Sequence, residues 1–333
     1  MTRLTPEKAV EQYLKAQHDL TQSTLTNHRY RLGKFLDFCE TKGVRSMSEI
    51  TGMHCEEFKN WRVEQGLKLV TLQYHMQTLR KFLRWCEGVG AVEAGLSENV
   101  MIPKVDPADK ARDDHISHET ASEIIDFLCK YHWASKEHLI IHVLYHTGIR
   151  RSSLHSLDVE DWNSEEGYLA VRHRPHQGTS LKLKAEGERN ISVADERLAQ
   201  ALDDWVTERR PDVEDEYGRQ PLLATSHGRM HFETISKVCY RVTRPCFYAG
   251  FCPHEKDIET CEWTRHDQHS KCPSSISSHP IRRSSITHHL DSDVPKEIVS
   301  ERMNVSQKVL DQHYDARDYE QKRENRRKYL GDV

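Results

Sequence analysis

Apolar residues recur at helical spacing through the first hundred positions and again in several later runs; only short stretches between them read as strand. Near the N-terminus Ala9, Val10, Tyr13 and Leu14 share one face. Thr5 can cap that helix, with Pro6 at the first position, where a missing N–H costs nothing. A second run opens at Ser23 or Thr24, turns Leu25, Leu32, Phe35 and Leu36 inward, and stops at Gly43. A third begins near Thr51, carries Phe58 and Trp61, and ends at Gly66. The fourth spans about Val70 to Cys86, with Leu72, Met76, Leu79, Phe82 and Leu83 inward, and stops at Gly88.

From Ile102 to Ser117 the periodicity lapses around Pro103, Pro107 and a run of charges, which predicts a linker. The chain therefore reads as a helical domain over 1–102, a linker over 103–117 and a second domain over 118–333. In that second domain one helix follows His118 and carries Ile124, Ile125, Phe127 and Leu128. Another runs from about Lys136 to His146 and enters Thr147-Gly148-Ile149-Arg150. Gly148 permits a sharp turn after which Arg150 starts a new helix, anchored by Leu154 and Leu157. Gly167–Arg172, Ser180–Lys184 and Asn190–Val193 read as strands of a small antiparallel sheet, with Ala185–Glu188 as a polar turn. Further helices are expected over Leu198–Arg209 and Phe232–Arg244, and a last helical run follows His279-Pro280-Ile281-Arg282. The predicted fold class is mainly α with a small antiparallel β-sheet.

Charge and composition narrow the picture little. Formal net charge is −4, from 48 basic and 52 acidic residues, so any nucleic-acid surface must be local. No apolar run approaches the roughly 20 residues of a membrane span, and Met1–Pro6 lacks a signal-peptide core; a cytoplasmic protein is expected. Cys39, Cys55, Cys86, Cys129 and Cys239 read as buried small hydrophobes. Cys246, Cys252, Cys261 and Cys272 crowd into 27 residues, with His254, His266 and His269 nearby as alternates. That Cys/His-rich insert, at about 246–272, suggests structural zinc from its ligand types, although no Cys-x2–4-Cys knuckle is present.

Three motifs carry chemistry: Thr147-Gly148-Ile149-Arg150, His279-Pro280-Ile281-Arg282, and Tyr314 at the close of Asp311-Gln312-His313-Tyr314. Together they resemble the active site of the tyrosine recombinase (phage integrase) family, most like its haloarchaeal or archaeal-virus members, whose Cys-rich inserts look similar. The resemblance covers nearly the whole chain. It implies a helical core-binding domain, which clamps DNA, and an α+β catalytic domain. The implied catalytic set is Arg150, Lys184 (with Lys182 as the alternative), His279, Arg282 and Tyr314. Ser153 stands where the family usually has an acid, and Val305 where it has His or Trp. It further implies DNA contacts through Arg29, Arg31, Lys34, Thr71, Arg80, Lys81, Arg172, Lys182 and Arg283, while the acidic run Asp212–Glu216 faces away from DNA.

The implied reaction needs no metal or ATP. Arg150 and Arg282 offset charge on the attacked phosphate, His279 serves as base or phosphate ligand, and Lys184 protonates the leaving 5′ oxygen. Tyr314 takes the 3′ phosphate. Implied partners are double-stranded attachment sites, a homotetramer on DNA, and an accessory DNA-bending or directionality factor. The alternatives are a Xer-like chromosome dimer resolvase and a non-catalytic DNA-binding protein of the same fold.

Overall fold

The computed structural model describes residues 4–106, 115–313 and 323. The chain divides into two compact units, Met1–Arg112 and Asp113–Val333, and each has its own apolar core.

The first unit holds helices α1 (Pro6–Ala16), α2 (Gln22–Lys42), α3 (Gly52–Glu64) and α4 (Leu69–Gly88). Helix α2 starts earlier than its apolar pattern suggests. Thr21 holds the cap, its side chain accepting the Thr24 amide at 3.4 Å, and so Ser23 and Thr24 lie inside the helix. Gly43 closes α2 in the left-handed region, where a side chain would be strained. Phe35, Phe38 and Phe58 pack edge to face with ring centroids 5.5 Å apart for Phe35–Phe58 and Phe38–Phe58, and α4 buries the five apolar residues its spacing predicts.

In the second unit α5 (His118–Tyr131) is capped by Ser117, and α6 (Lys136–Thr147) runs through the middle. Nearly every residue of α6 is buried, so it packs against neighbours on all sides. Helix α7 (Arg151–Ser156) leads into a three-stranded antiparallel sheet in the order β1 (Trp162–Asn163), β2 (Tyr168–Val171), β3 (Arg189–Ser192). The expected strand Ser180–Lys184 does not form. Leu181 is drawn into the core, the Lys184 amide donates to its carbonyl at 3.1 Å, and Lys184–Gly187 wind into a 3₁₀ turn. The third strand is β1, whose two residues are too few to show a period of two.

The chain continues through α8 (Glu196–Asp204), extended by a π-helical turn at Trp205–Arg209, and a hairpin of β4 (Ala224–Thr225) and β5 (Gly228–Arg229). Helices α9 (Phe232–Val242) and α10 (Pro245–Tyr248) precede residues 249–277, which contain only two three-residue 3₁₀ turns. Helices α11 (Ser278–Asp291), α12 (Lys296–Met303) and α13 (Gln307–His313) follow. A separate small core of Ile286, Leu290, Val299, Met303, Val305 and Leu310 ties these three together.

The acidic run Asp212–Glu216 is not simply an outward face. Asp215 is turned inside, where it meets Arg219 at 3.0 Å and Arg229 at 2.7 Å. Burial alone would raise its pKa, but the Arg229 hydrogen bond and the backbone amides of Arg219 and Tyr217 outweigh that and hold it at about 2. Among the described residues no helix is long and apolar enough to cross a membrane.

Candidate active site

The turn between α6 and α7 is fixed by Gly148, which sits at φ +60 and returns its amide to Leu144 at 3.0 Å. Ile149 is buried, and the Arg150 carbonyl accepts the amides of Ser153 and Leu154 at 2.9 and 3.0 Å. Arg150 is thus the capping residue of α7. The adjacent Arg151 has a defined packing environment. Arg151 lies over the Phe232 ring at 3.6 Å and hydrogen-bonds Ser236, which commits it to a structural contact.

Arg282, one turn into α11, is buried and donates from Nη1 to the Gly148 carbonyl. The two arginine-bearing motifs, 134 positions apart, are therefore physically joined. His279 occupies an exposed position in the first turn of α11 but is hemmed in by protein. That partial desolvation first, then Arg282, Arg283, Lys182 and Arg150, pushes its pKa below the ordinary histidine value. Lys184 is not among them; it is exposed at φ +51 at the start of the 3₁₀ turn, off the strand on which it was expected.

Two arginines outside the motifs brace this region. Arg189 donates from Nε to the Arg302 carbonyl and from Nη1 to the Gly187 carbonyl, both at 2.8 Å. Burial, then Arg150 and Arg302, lower its pKa to about 10. Arg302 donates to the Ser192 carbonyl at 2.9 Å and the His146 carbonyl at 3.3 Å. Together they connect the end of α12 to β3, to the lysine-bearing turn and to α6. Neither arginine belongs to the motifs read from the sequence, because an arginine bound to backbone carbonyls looks there like any surface arginine.

Val305 is buried beside Met303 and Leu310 and serves the small apolar core. Ser153, where an acid was expected, is also buried. Tyr314 lies outside the described residues.

Met303 also presses on Gly148: a Cβ there would stand 2.6 Å from its Sδ and 2.9 Å from its Cγ. Gly148→Ala is expected to destabilise the protein by about 1–3 kcal/mol through overpacking and the positive φ. Urea unfolding measures this, and pairing it with Met303→Ala should recover the overpacking part. A change within error of zero would mean the turn relaxes freely.

The residues expected to touch DNA have diverse settings. Arg29, Thr71, Lys81 and Lys182 are exposed. Arg31 donates to Thr78 at 3.1 Å and lies over the Tyr74 ring at 5.2 Å. Lys34 pairs with Asp37 at 2.9 Å, and Arg80 is bound to the Val100 carbonyl at 2.5 Å, which makes it an internal tie. Arg172 is held by Asn190 at 2.7 Å.

In the insert all four cysteines are unbridged. The Cys246 thiol is pushed up by burial, with added contributions from Cys272 and Cys252, so these three share a neighbourhood. His254 contacts Ser274 at 2.9 Å, His269 the Trp263 carbonyl at 3.0 Å, and His266 the Asp267 carboxylate at 3.2 Å. Among the described residues, the donor atoms that converge to metal-ligand spacing belong instead to Cys129, His138 and His142. Cys129 was expected to be a plain core residue; it is half-buried against His138.

A family model described as "Phage integrase, N-terminal SAM-like domain" matches residues 10–88, and one described as "Phage integrase family" matches residues 114–321. Tyrosine recombinase XerC of Shigella flexneri serotype 5b (strain 8401) is 23% identical over 159 residues, 48% of this chain and 52% of that protein. XerC of Escherichia coli (strain K12 / DH10B) matches with the same identity and coverage. The chain thus spans about half the length of the curated relatives it matches. A solved structure of the Tn1549 transposon integrase in complex with transposon right end DNA superposes with TM-score 0.66 at 15% identity, over 98% of this chain and 100% of that one. A lambda integrase dimer bound to a COC′ core site gives TM-score 0.63 at 15% identity, over 96% and 80%. At that identity the likeness is one of fold.

Proposed function

The chain belongs to the phage integrase family, and from that premise we propose that it is a site-specific DNA recombinase acting through a 3′-phosphotyrosyl intermediate. The observation that carries this reading is the convergence of Arg150, Arg282, Arg283 and Lys182 on His279, with Arg282 bonded to the Gly148 turn. A cluster of fixed cations around an imidazole of lowered pKa suits a phosphodiester whose non-bridging oxygens gain charge.

In the proposed reaction the Tyr314 oxygen attacks phosphorus and the bond to the 5′ oxygen breaks. The phenol proton passes to His279, whose lowered pKa favours the neutral form that can accept it, and a lysine protonates the leaving oxygen. Lys184 is the lysine proposed for that role, with Lys182, which contributes to lowering the His279 pKa, as the alternative. The covalent phosphotyrosine keeps the bond energy, so rejoining requires no cofactor.

The remaining parts of the proposal rest on resemblance. The helical first unit clamps double-stranded DNA, four copies assemble on paired sites, an accessory bending or directionality factor assists, and the work is done in the cytoplasm. The mobile element is of haloarchaeal or archaeal-virus type, from the form of the Cys-rich insert. Structural zinc on Cys246, Cys252, Cys261 and Cys272 rests on ligand chemistry and on the shared neighbourhood of three of the thiols.

One observation favours a second reading, a DNA-binding protein of this fold without strand cleavage. Val305 is an apolar core residue and offers a phosphate no hydrogen bond. Incubation with DNA flanking its own gene separates the two. A protease-sensitive covalent adduct on a denaturing gel, lost in Tyr314→Phe, supports the recombinase. Tight binding without adduct supports the second reading.

A further inference from the structure

We propose that Cys129, His138 and His142 form a metal site for a zinc-like divalent cation, which staples α5 to α6 and, through Asp195, to α8. Cys129 lies near the end of α5, and the two histidines occupy successive turns of α6. Cys129 Sγ is 3.3 Å from His138 Nε2, which is 3.1 Å from His142 Nδ1, and all three donor atoms lie within 4.8 Å of one another. Ligands about 2.0–2.3 Å from a tetrahedral zinc stand about 3.3–3.8 Å apart, so the set needs only slight expansion to receive the ion. One thiolate and two imidazoles are the donor types such a cation prefers.

The surroundings fit the same role. His142 Nε2 is 3.2 Å from Asp195 Oδ2, so the proton sits on Nε2 and the Nδ1 lone pair faces the cluster. Asp195 is itself held by the Leu198 amide at 3.0 Å, where it caps α8. Three protein ligands leave a fourth position. A cavity of about 340 Å³ lined by His142, Asp195 and Arg197 adjoins the His142 side of the cluster.

Without metal the same groups form a hydrogen-bond chain, from the Ala134 amide to His138 Nδ1 at 3.3 Å, then to His142 and Asp195. Metal on His138 Nε2 moves that ring's proton to Nδ1 and displaces the Ala134 contact, which is long. Binding also releases the Cys129 thiol proton, so affinity falls as pH is lowered. Neither reading involves the cluster around His279, and the inference does not depend on the proposed reaction.

The test uses the full chain, stripped with chelator and titrated with Co²⁺ in place of zinc. The expected result is a tetrahedral visible spectrum and a sulfur-to-cobalt charge-transfer band, and Cys129→Ala removes the part of it that does not come from the insert cysteines. A variant with the four insert cysteines changed to serine should retain both. Asp195→Asn, which still caps α8, should weaken binding about 10–100-fold. The inference is overturned if wild-type protein gives no tetrahedral cobalt spectrum, or if Cys129→Ala with unchanged circular dichroism keeps the whole signal. Should Cys129→Ala not fold, the Asp195→Asn titration decides, and an unchanged affinity there overturns it.

Discussion

Arg282→Ala is expected to lower the rate of DNA strand cleavage by about 10²–10³-fold, the usual loss when one preorganised donor to a developing oxyanion is removed. Arg282 is 4% exposed and already tied to the Gly148 carbonyl, so its guanidinium is held in place before any phosphate arrives. That is why the loss should fall on the chemical step more than on binding. DNA affinity in a gel-shift titration should change only a few-fold, because other phosphate contacts carry most of it. Arg282→Lys keeps the charge but not the forked geometry and should also be slow. Single-turnover cleavage of a nicked suicide substrate measures the rate. Cleavage by Arg282→Ala within threefold of wild type would remove Arg282 from the reaction and undercut the proposed site.

Asp158→Ala should destabilise the second unit by about 3–5 kcal/mol, the cost of taking one partner from a buried ion cluster. Asp158 is 1% exposed and faces Arg174 at 3.3 Å, Arg219 at 3.2 Å and Arg229. Asp161 and Asp215 balance part of that charge, but removal of Asp158 leaves three largely buried guanidiniums with too few carboxylates. Arg229 also donates to the carbonyls of His155 and Leu157 at 3.0 and 3.2 Å. The cluster therefore holds the C-terminal end of α7, the helix that Arg150 caps. Urea unfolding of the full chain, followed by circular dichroism, gives the change. A loss below about 1 kcal/mol would mean water replaces the missing carboxylate, as it does for exposed pairs.

The helices of both units were legible because each buries a face wide enough to mark the sequence. The residues of α4 that periodicity turned inward are those the core contains, and the Gly43 stop is a local backbone preference. The start of α2 was misread because Thr21, Ser23 and Thr24 are equally good caps on paper, and only the folded chain selects Thr21. The sheet was misread where Leu181 left the strand pattern for the core and drew Ser180–Lys184 into a turn. That turn takes Lys184 out of the strand on which it was expected.

Sequence by itself determined most of the helices and where the motif residues stand along the chain, since helix periodicity and the two arginine motifs are properties of neighbouring positions. Whether distant groups meet was decided by tertiary structure alone. The bond from Arg282 to Gly148 spans 134 positions, the Arg189–Arg302 link 113, and the ion cluster joins Asp158 to Arg219 across 61. Cys129 meets His138 for the same reason, through packing of α5 on α6, whereas His138 and His142 share one helix face by their i, i+4 spacing. Val305 shows the same division, read from the sequence as a missing phosphate ligand and found in the fold as part of the apolar core that joins α11, α12 and α13.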